Sequence, residues 1–162
     1  MRADIEKLYV ASKVKRWHTH HGPSQNLAEH SFGVAMIIAA WHPDPSSALL
    51  KAALYHDLHE KRFADIPWST KREHRELPNI EEVARQSFLG EVGLFDFVLS
   101  DEDALWLKFA DQYEAYLYLC HADFVLGAEL LEIRAKCYTI VVRLRDELCE
   151  LGFFQPEMGT VH

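Results

Sequence analysis

The sequence predicts an all-α fold, with residues 1–162 forming one domain built as a bundle of five to seven helices. Three observations support this prediction. The chain contains only 7 glycines and 6 prolines, too few for a turn-rich all-β protein. Hydrophobic residues make up 49% of the chain, enough for one sizeable core. Helix-start and helix-stop signals recur along the chain, whereas the alternating pattern of strands does not.

The predicted helices follow one another through short connections. We expect them over residues 2–13, 26–41, 45–60, 70–76, 79–89, 100–121 and 125–151. Polar residues at capping positions mark most of the starts, namely Asn26 with Glu29, Asp44 before Pro45, Asn79 with Glu82, and Ser100 with Asp103. Gly152 is the predicted C-terminal cap of the last helix.

Composition and charge exclude several classes of partner. The net charge of −8 argues against a nucleic-acid backbone as the main partner, because such proteins usually carry a basic face. A small anionic substrate is compatible with this charge if positive charge is concentrated at one site. No apolar run approaches the roughly 20 residues of a membrane span, and the N-terminus lacks the pattern of a signal peptide. We therefore expect a cytoplasmic protein that binds no membrane.

The three cysteines, Cys120, Cys137 and Cys149, are predicted to be buried reduced thiols. Their spacings of 17 and 12 residues match neither a paired-cysteine metal motif nor a disulfide framework.

The strongest local signal for chemistry is the stretch 55–60, Tyr-His-Asp-Leu-His-Glu. On a helix His56, Asp57 and Glu60 lie at about 0°, 100° and 40°, within one sector that faces the core. Because a buried acid without a partner is costly, two acids and an imidazole on an inward face indicate a bound cation. Alone, the His-Asp pair would more often be a core histidine beside a solvated acid.

Two further residues strengthen the prediction of a metal site. His30 lies early on the apolar second helix, and Asp111 follows the largely apolar stretch 105–110. Each by itself is commonly structural. Together with His56 and Asp57 they place four ligands on three helices. Imidazole and carboxylate donors suit a divalent ion such as Co, Mn, Zn, Ni or Mg.

The order and spacing of these motifs resemble the HD-domain phosphohydrolases. The motifs are Arg16-Trp17-His18, Ala28-Glu29-His30-Ser31, the stretch 55–60, Asp65-Ile66-Pro67, Lys71 and Ala110-Asp111. In this combination they are similar to the small YfbR-like 5′-deoxynucleotidases and, equally, to the phage dATP triphosphohydrolases of that branch. The resemblance covers about residues 5–120.

The resemblance implies a role for each matching position. The metal ligands would be His30, His56, Asp57 and Asp111; Glu60 would orient or deprotonate the attacking water, with Asp65 assisting; Arg16 and Lys71 would hold phosphates. Trp17 would pack against the sugar or base, with Pro67 and Trp68 as the opposite wall. This sequence departs from the family pattern at Ser69, where a second proline is usual, and at the bulky Trp68, which affects base preference rather than chemistry.

The resemblance therefore predicts an enzyme that hydrolyses deoxynucleotide 5′-phosphates. The short N-terminal lead favours the dATP type, which converts dATP, and also dADP and dAMP, to deoxyadenosine and phosphate or triphosphate. Three alternatives remain open: a 5′-deoxynucleotidase restricted to dNMPs, an HD-type di-iron oxygenase, and a non-catalytic helical binding protein. The oxygenase would need additional histidine ligands, and the binding protein would not need Glu60. We also expect a homo-oligomer, a dimer or a hexamer.

Overall fold

Helices form in most of the segments where the sequence pattern predicts them. This computed structural model describes residues 3–64, 66, 70, 73–74, 76–94 and 98–153. Within them lie α1 (Ile5–Ala11), α2 (Leu27–Trp41), α3 (Ser47–Tyr55), a 3₁₀ helix (Leu58–Arg62), α4 (Leu77–Glu91), α5 (Asp101–Cys120) and α6 (Ala128–Glu150). The predicted all-α fold class is confirmed. That the chain is one domain stays a prediction.

The capping signals predicted three helix ends correctly. The Asn26 side chain accepts a hydrogen bond from the Glu29 N–H at 3.0 Å, and the Glu29 carboxylate accepts one from the Asn26 N–H at 2.9 Å. This capping box fixes the start of α2, one turn before His30. At α5, the Ser100 hydroxyl accepts a hydrogen bond from the Asp103 N–H at 3.0 Å. Gly152 has a φ of 86°, the left-handed conformation expected just after α6.

The third helix is shorter than predicted at both ends. Its N-cap is Ser46 rather than Asp44, because the Ser46 hydroxyl accepts from the Leu49 N–H at 3.0 Å and donates to Asp103 on α5 at 2.8 Å. The helix ends at Tyr55 instead of residue 60, and a separate 3₁₀ helix follows. The difference exceeds the usual uncertainty of helix boundaries and matters for the functional site.

Three other helices also differ from their predicted ranges. α4 begins at Leu77 rather than at Asn79. Pro78 is tolerated in its first turn because the backbone N–H that proline lacks would form no helical hydrogen bond at that position. The first and last helices are shorter than the ranges 2–13 and 125–151. The helix predicted over 70–76 lies largely outside the described residues.

Two hydrophobic clusters hold the helices together. The larger joins α2, α3, α5 and α6 and includes Val34, Ala53, Trp106, Phe109 and Val141. The smaller joins α1, the start of α2, the 3₁₀ helix and α4 through Leu8, Leu27, Leu58 and Phe88. On α2, His30 lies between Leu27 of the smaller cluster and Val34 of the larger one. Residues 56–57 likewise lie between Ala53 of the larger cluster and Leu58 of the smaller one. The predicted site is located where the two clusters meet.

None of the helices in the described residues combines the length and the apolar character that crossing a membrane requires. The cysteines are free thiols, but the predicted burial holds only in part. Cys137 is buried, and burial raises the pKa of its thiol to about 11. Cys149 is half-buried, whereas Cys120, the last residue of α5, is exposed.

Candidate metal centre

The four side chains predicted to bind a metal come together at one point. His30 is on α2, His56 and Asp57 follow α3, and Asp111 is on α5. Each offers one ligand atom, and these atoms all lie within 4.8 Å of one another. Among the described residues this is the group of His, Cys, Asp and Glu side chains that could hold a metal ion. Two imidazoles and two carboxylates suit a divalent cation.

The break after α3 lets two consecutive residues face the same point. His56 still has helical φ and ψ angles of −55° and −39°, whereas Asp57 has −101° and −1°. On a continuous helix these side chains would diverge by about 100°. Here His56 Nε2 and Asp57 Oδ2 are 3.4 Å apart. The shorter helix is thus what makes both residues available to one ion.

The distances within the cluster leave the two imidazole Nε2 atoms facing carboxylates. His30 Nε2 lies 3.2 Å from Asp111 Oδ1 and 3.6 Å from Asp57 Oδ2. His56 Nε2 lies 3.9 Å from the same Asp111 oxygen. Both Nε2 atoms are buried and have no hydrogen-bond partner in the part of the chain described here. Buried ring nitrogens in that position fit metal coordination.

The other ring nitrogen of each histidine is held by a hydrogen bond. His56 Nδ1 donates to the Ala53 carbonyl at 3.0 Å. His30 Nδ1 donates to the Glu114 carboxylate, one turn beyond Asp111 on α5. A proton on Nδ1 leaves the Nε2 lone pair directed at the cluster, as is usual for metal-binding histidines.

The charges of the cluster support one another. Burial by itself lowers the pKa of His56, but Asp57 and Asp111 together raise it to about 9. Burial opposes ionisation of Asp111, yet the imidazoles of His30 and His56 beside its carboxylate hold its pKa well below the ordinary value. The pKa of Asp57 is also lowered against the effect of burial, by the charges of His56, Arg16 and His30. Without a cation the site therefore keeps both carboxylates ionised and holds a proton on His56.

Arg16 contacts the cluster directly, and Trp17 follows it in the chain. The Arg16 guanidinium lies 3.0 Å from Asp57 Oδ2, and its side chain is 12% exposed. Trp17 has a φ of 58°, an unusual conformation for a bulky residue. Its ring stacks on Tyr118 at 6.2 Å, and its Nε1 donates to Gln25 at 3.1 Å. These contacts hold the Trp17 ring against Tyr118 and Gln25.

Residues 11–122, which contain the whole cluster, match the model of the HD domain family. The chain belongs to the HD domain family. The fold is also similar to a solved structure of the cyanophage S-2L HD phosphohydrolase (DatZ) bound to dA and one catalytic Zn²⁺ ion. The two share 23% sequence identity with a TM-score of 0.72, over 93% of this chain and 95% of that chain. Curated protein sequences gave no significant match.

The sequence-based identification as an HD-domain protein is confirmed. The likeness at this identity concerns the fold. The roles of individual side chains rest on the geometry of this chain.

Glu60 lies in the turn directly after the HD pair. It belongs to the 3₁₀ helix, is 5% exposed, and its N–H donates to the Asp57 carbonyl at 2.9 Å. The angular sector predicted for a continuous helix does not apply, because α3 ends before His56. Its role as a base stays a prediction supported by burial beside the ligands. The other predicted site residues Asp65, Pro67, Trp68 and Lys71 lie outside the described residues.

Sequence analysis missed three residues that support the site. Glu114 holds His30, Gln25 holds both Trp17 and Glu114, and Tyr118 stacks on Trp17. Glu114 was detectable in principle, since an acid one turn after Asp111 on a largely apolar helix shares its inward face. Gln25 carried no local signal, because its partners are 8 and 89 residues away.

Proposed function

We propose that this HD-domain protein is a metal-dependent phosphohydrolase of deoxynucleotide 5′-phosphates, with dATP and its lower phosphates as favoured substrates. The observation that carries the proposal is the convergence of His30, His56, Asp57 and Asp111, with the Arg16 guanidinium against the same point. The dA and catalytic Zn²⁺ bound by the cyanophage phosphohydrolase support it from a protein of similar fold.

The residues of the site divide the work of hydrolysis. When bound to the four ligands, a divalent ion supplies a water of lowered pKa and neutralises phosphate charge. Arg16 offers a planar fork of donors suited to phosphate oxygens, and in this proposal Lys71 adds a second positive charge. Glu60 accepts the proton of the attacking water, assisted by Asp65.

The bond that breaks joins phosphorus to the 5′ oxygen of the deoxyribose. Water adds its oxygen to phosphorus and one of its protons passes to Glu60. The 5′ oxygen leaves and becomes an alcohol by taking up the proton that Glu60 received. The products are the deoxynucleoside and phosphate from a monophosphate, or triphosphate from dATP. Since little covalent chemistry falls to the protein, positioning and charge stabilisation supply most of the rate.

Trp17 supports the preference for deoxyribose. Its indole N–H is donated to Gln25, so the N–H is not available to a ribose hydroxyl. A 2′-hydroxyl pressed against the ring would lose hydrogen bonds to water without a replacement, at a cost on the order of 1–3 kcal/mol. The proposal places Pro67 and Trp68 on the opposite wall. We expect deoxynucleotides to be preferred roughly ten- to a hundred-fold over ribonucleotides, as that cost implies.

A substrate screen tests the proposal. Each dNMP, dNTP and ribonucleotide is incubated with the protein and Co, Mn, Mg or Zn ions, with phosphate detection and chromatography of the nucleoside products. We expect deoxyadenosine from dATP, dADP and dAMP, and none with His56→Ala. Binding of ions without turnover of any deoxynucleotide would contradict the proposal and favour a binding protein. Equal kcat/KM for ATP and dATP would refute the Trp17 pocket alone.

The same chromatograms separate the two phosphohydrolase alternatives. Release of tripolyphosphate from dATP identifies the triphosphohydrolase, whereas turnover of dNMPs alone identifies a 5′-deoxynucleotidase. The di-iron oxygenase would instead require two iron ions per chain. Among the described residues, one group of side chains meets the geometric requirement for a metal, which favours the hydrolase.

Association into a homo-oligomer, a dimer or a hexamer, stays part of the proposal. Phe32 and Met36 lie one turn apart on α2 and are 66% and 54% exposed. Exposed apolar side chains at this spacing favour contact with another subunit. Light scattering coupled to size-exclusion chromatography measures the mass directly, and a monomer at micromolar concentration would contradict the expectation.

A further inference from the structure

A chain of hydrogen bonds links Trp17 to the metal ligand His30. Trp17 Nε1 donates to Gln25 Oε1 at 3.1 Å, and Gln25 Nε2 donates to Glu114 Oε1 at 2.6 Å. The second Glu114 oxygen accepts from His30 Nδ1. Gln25 and Glu114 are 3% and 9% exposed, so these bonds are largely shielded from water. A buried network of this kind is energetically significant when every member is satisfied.

The direction of every hydrogen bond in this chain follows from its first member. An indole N–H only donates, so the Gln25 oxygen must face Trp17 and the Gln25 amide nitrogen must face Glu114. That nitrogen occupies one carboxylate oxygen as an acceptor. In the ionised carboxylate the other oxygen also only accepts, so the group facing it, His30 Nδ1, must be the donor.

We propose that Gln25 and Glu114 are positioning residues that fix the proton of His30 on Nδ1 and thereby keep its Nε2 lone pair directed at the metal ion. The same two side chains anchor Trp17, so the wall of the substrate pocket and the metal ligand are held by one network. The inference rests on the proposed function only in assuming that the four-residue cluster binds a divalent ion.

The surrounding structure holds this network in place. The Tyr118 hydroxyl accepts from the backbone N–H groups of Ser24 and Gln25 at 3.0 and 3.2 Å, which fixes the segment that carries Gln25. On α2, Gly33 faces Glu114: a Cβ at this position would lie 2.7 Å from Glu114 Cγ. The absence of a side chain at residue 33 thus leaves the space that the glutamate occupies.

Exchanging the amide and the carboxylate tests the direction of the bonds. Gln25→Glu alone places two carboxylates face to face. In Glu114→Gln alone, the new amide can take two orientations. In one, its nitrogen faces the Gln25 nitrogen, and two donors meet. In the other, its nitrogen faces His30 Nδ1, which must then accept, so the proton of His30 moves to Nε2. In the double variant Gln25→Glu/Glu114→Gln, residue 25 accepts from Trp17 and from residue 114, which still accepts from His30. The bond between residues 25 and 114 is reversed, but both ends of the chain keep their direction, with Trp17 and His30 as the donors.

The measurement is the affinity for Co²⁺ and Zn²⁺ without substrate, together with the visible absorption spectrum of bound Co²⁺, which reports its ligand geometry. We expect each single variant to weaken binding about 10- to 100-fold, the usual effect of losing a partner of a metal-binding histidine. The double variant should recover most of the affinity and the wild-type Co²⁺ spectrum. Glu102→Gln, an exposed acid in the first turn of the same helix, makes the same change in charge and should have no effect.

Wild-type affinity and spectrum in Glu114→Gln would overturn the proposal, as would a double variant no better than the weaker single variant. If a single variant does not fold by circular dichroism, Gln25→Met replaces it, since Met removes both Gln25 bonds at similar volume. It should weaken Co²⁺ binding at least threefold, and unchanged binding counts against the network. Tight ion binding without nucleotide hydrolysis refutes the proposed function alone, whereas no ion binding by the wild type refutes both.

Discussion

Metal binding should release about one proton, because the ion and a proton compete for His56 Nε2. The neighbouring carboxylates raise the pKa of His56 to about 9. With that pKa, about 97% of His56 is protonated at pH 7.5, whereas an imidazole of ordinary pKa would be about 9% protonated. The coordinating form is neutral, so each ion bound at pH 7.5 displaces nearly one proton from this side chain.

Isothermal titration of Co²⁺ or Zn²⁺ into the metal-free protein, in two buffers of different ionisation enthalpy, counts these protons. The apparent Kd should improve about tenfold for each pH unit between 6.5 and 8.5, since His56 must lose its proton throughout this range. His121→Ala, which changes an exposed histidine at the end of α5, should leave the count unchanged. Release of less than about 0.3 protons at pH 7.5, with a Kd independent of pH, would refute the assignment of His56 as a protonated ligand site.

The same shift makes the metal-free protein less stable at high pH. Since the pKa of His56 is raised from 6.5 to about 9 on folding, its contribution is fully present below pH 6.5 and lost as the pH rises through 9. The side chain is 15% exposed, and the full contribution is about 3 kcal/mol. Urea unfolding of the metal-free protein at pH 6.5 and 9.5 measures it. If His56→Ala lost as much stability as the wild type between pH 6.5 and 9.5, another group would be responsible.

Four further substitutions have specific expected outcomes. Glu60→Gln should keep the metal but lose about 10²–10⁴ in rate, the usual effect of removing a proton acceptor, and a rate within a few-fold of wild type would exclude it as the base. Trp17→Ala should lower the ratio of kcat/KM for dATP over ATP more than it lowers kcat, and an unchanged ratio would contradict the pocket. Gly33→Ala should weaken Co²⁺ binding and stability, because its Cβ would meet Glu114 at 2.7 Å. Gly90→Ala, whose Cβ meets nothing within 4 Å, should stabilise the protein to thermal unfolding by up to about 1 kcal/mol.

The positions of two of the four candidate metal ligands were predictable because local sequence patterns place them. The capping box at Asn26 and the apolar spacing of α2 put His30 on an inward face, and the cap at Ser100 does the same for Asp111 on α5. Helix position and inward face are both short-range properties of the sequence. For two of the four ligands they were sufficient to predict where the side chain would lie.

The break after α3 was not predictable from the same patterns. His56 and Asp57 continue the helical periodicity of the sequence, yet α3 ends at Tyr55. The carboxylate of Asp57 contacts Arg16, 41 residues earlier in the chain. The start of α3 also depends on a distant contact, from Ser46 to Asp103. Gln25 and Glu114 are defined only by each other and by Trp17 and His30. Long-range polar contacts of this kind override local propensity and leave no periodic signal.

A protein with a net charge of −8 needs local positive charge to bind a polyanion, and the metal site would provide it. Replacing the proton on His56 by a divalent ion raises the local charge by one unit, directly beside the Arg16 guanidinium. The ion should therefore affect binding of a phosphate much more than binding of an uncharged nucleoside. With Glu60→Gln to prevent turnover, removal of the ion should weaken dAMP binding at least about tenfold, roughly the 1.4 kcal/mol expected for a close charge in a partly buried site. Deoxyadenosine lacks the phosphate but keeps the proposed contact with Trp17. Removal of the ion should therefore weaken its binding less than about threefold, well under 1.4 kcal/mol. Equal losses for the two ligands in calorimetric titrations would show that the ion organises the pocket rather than compensating the charge of the phosphate.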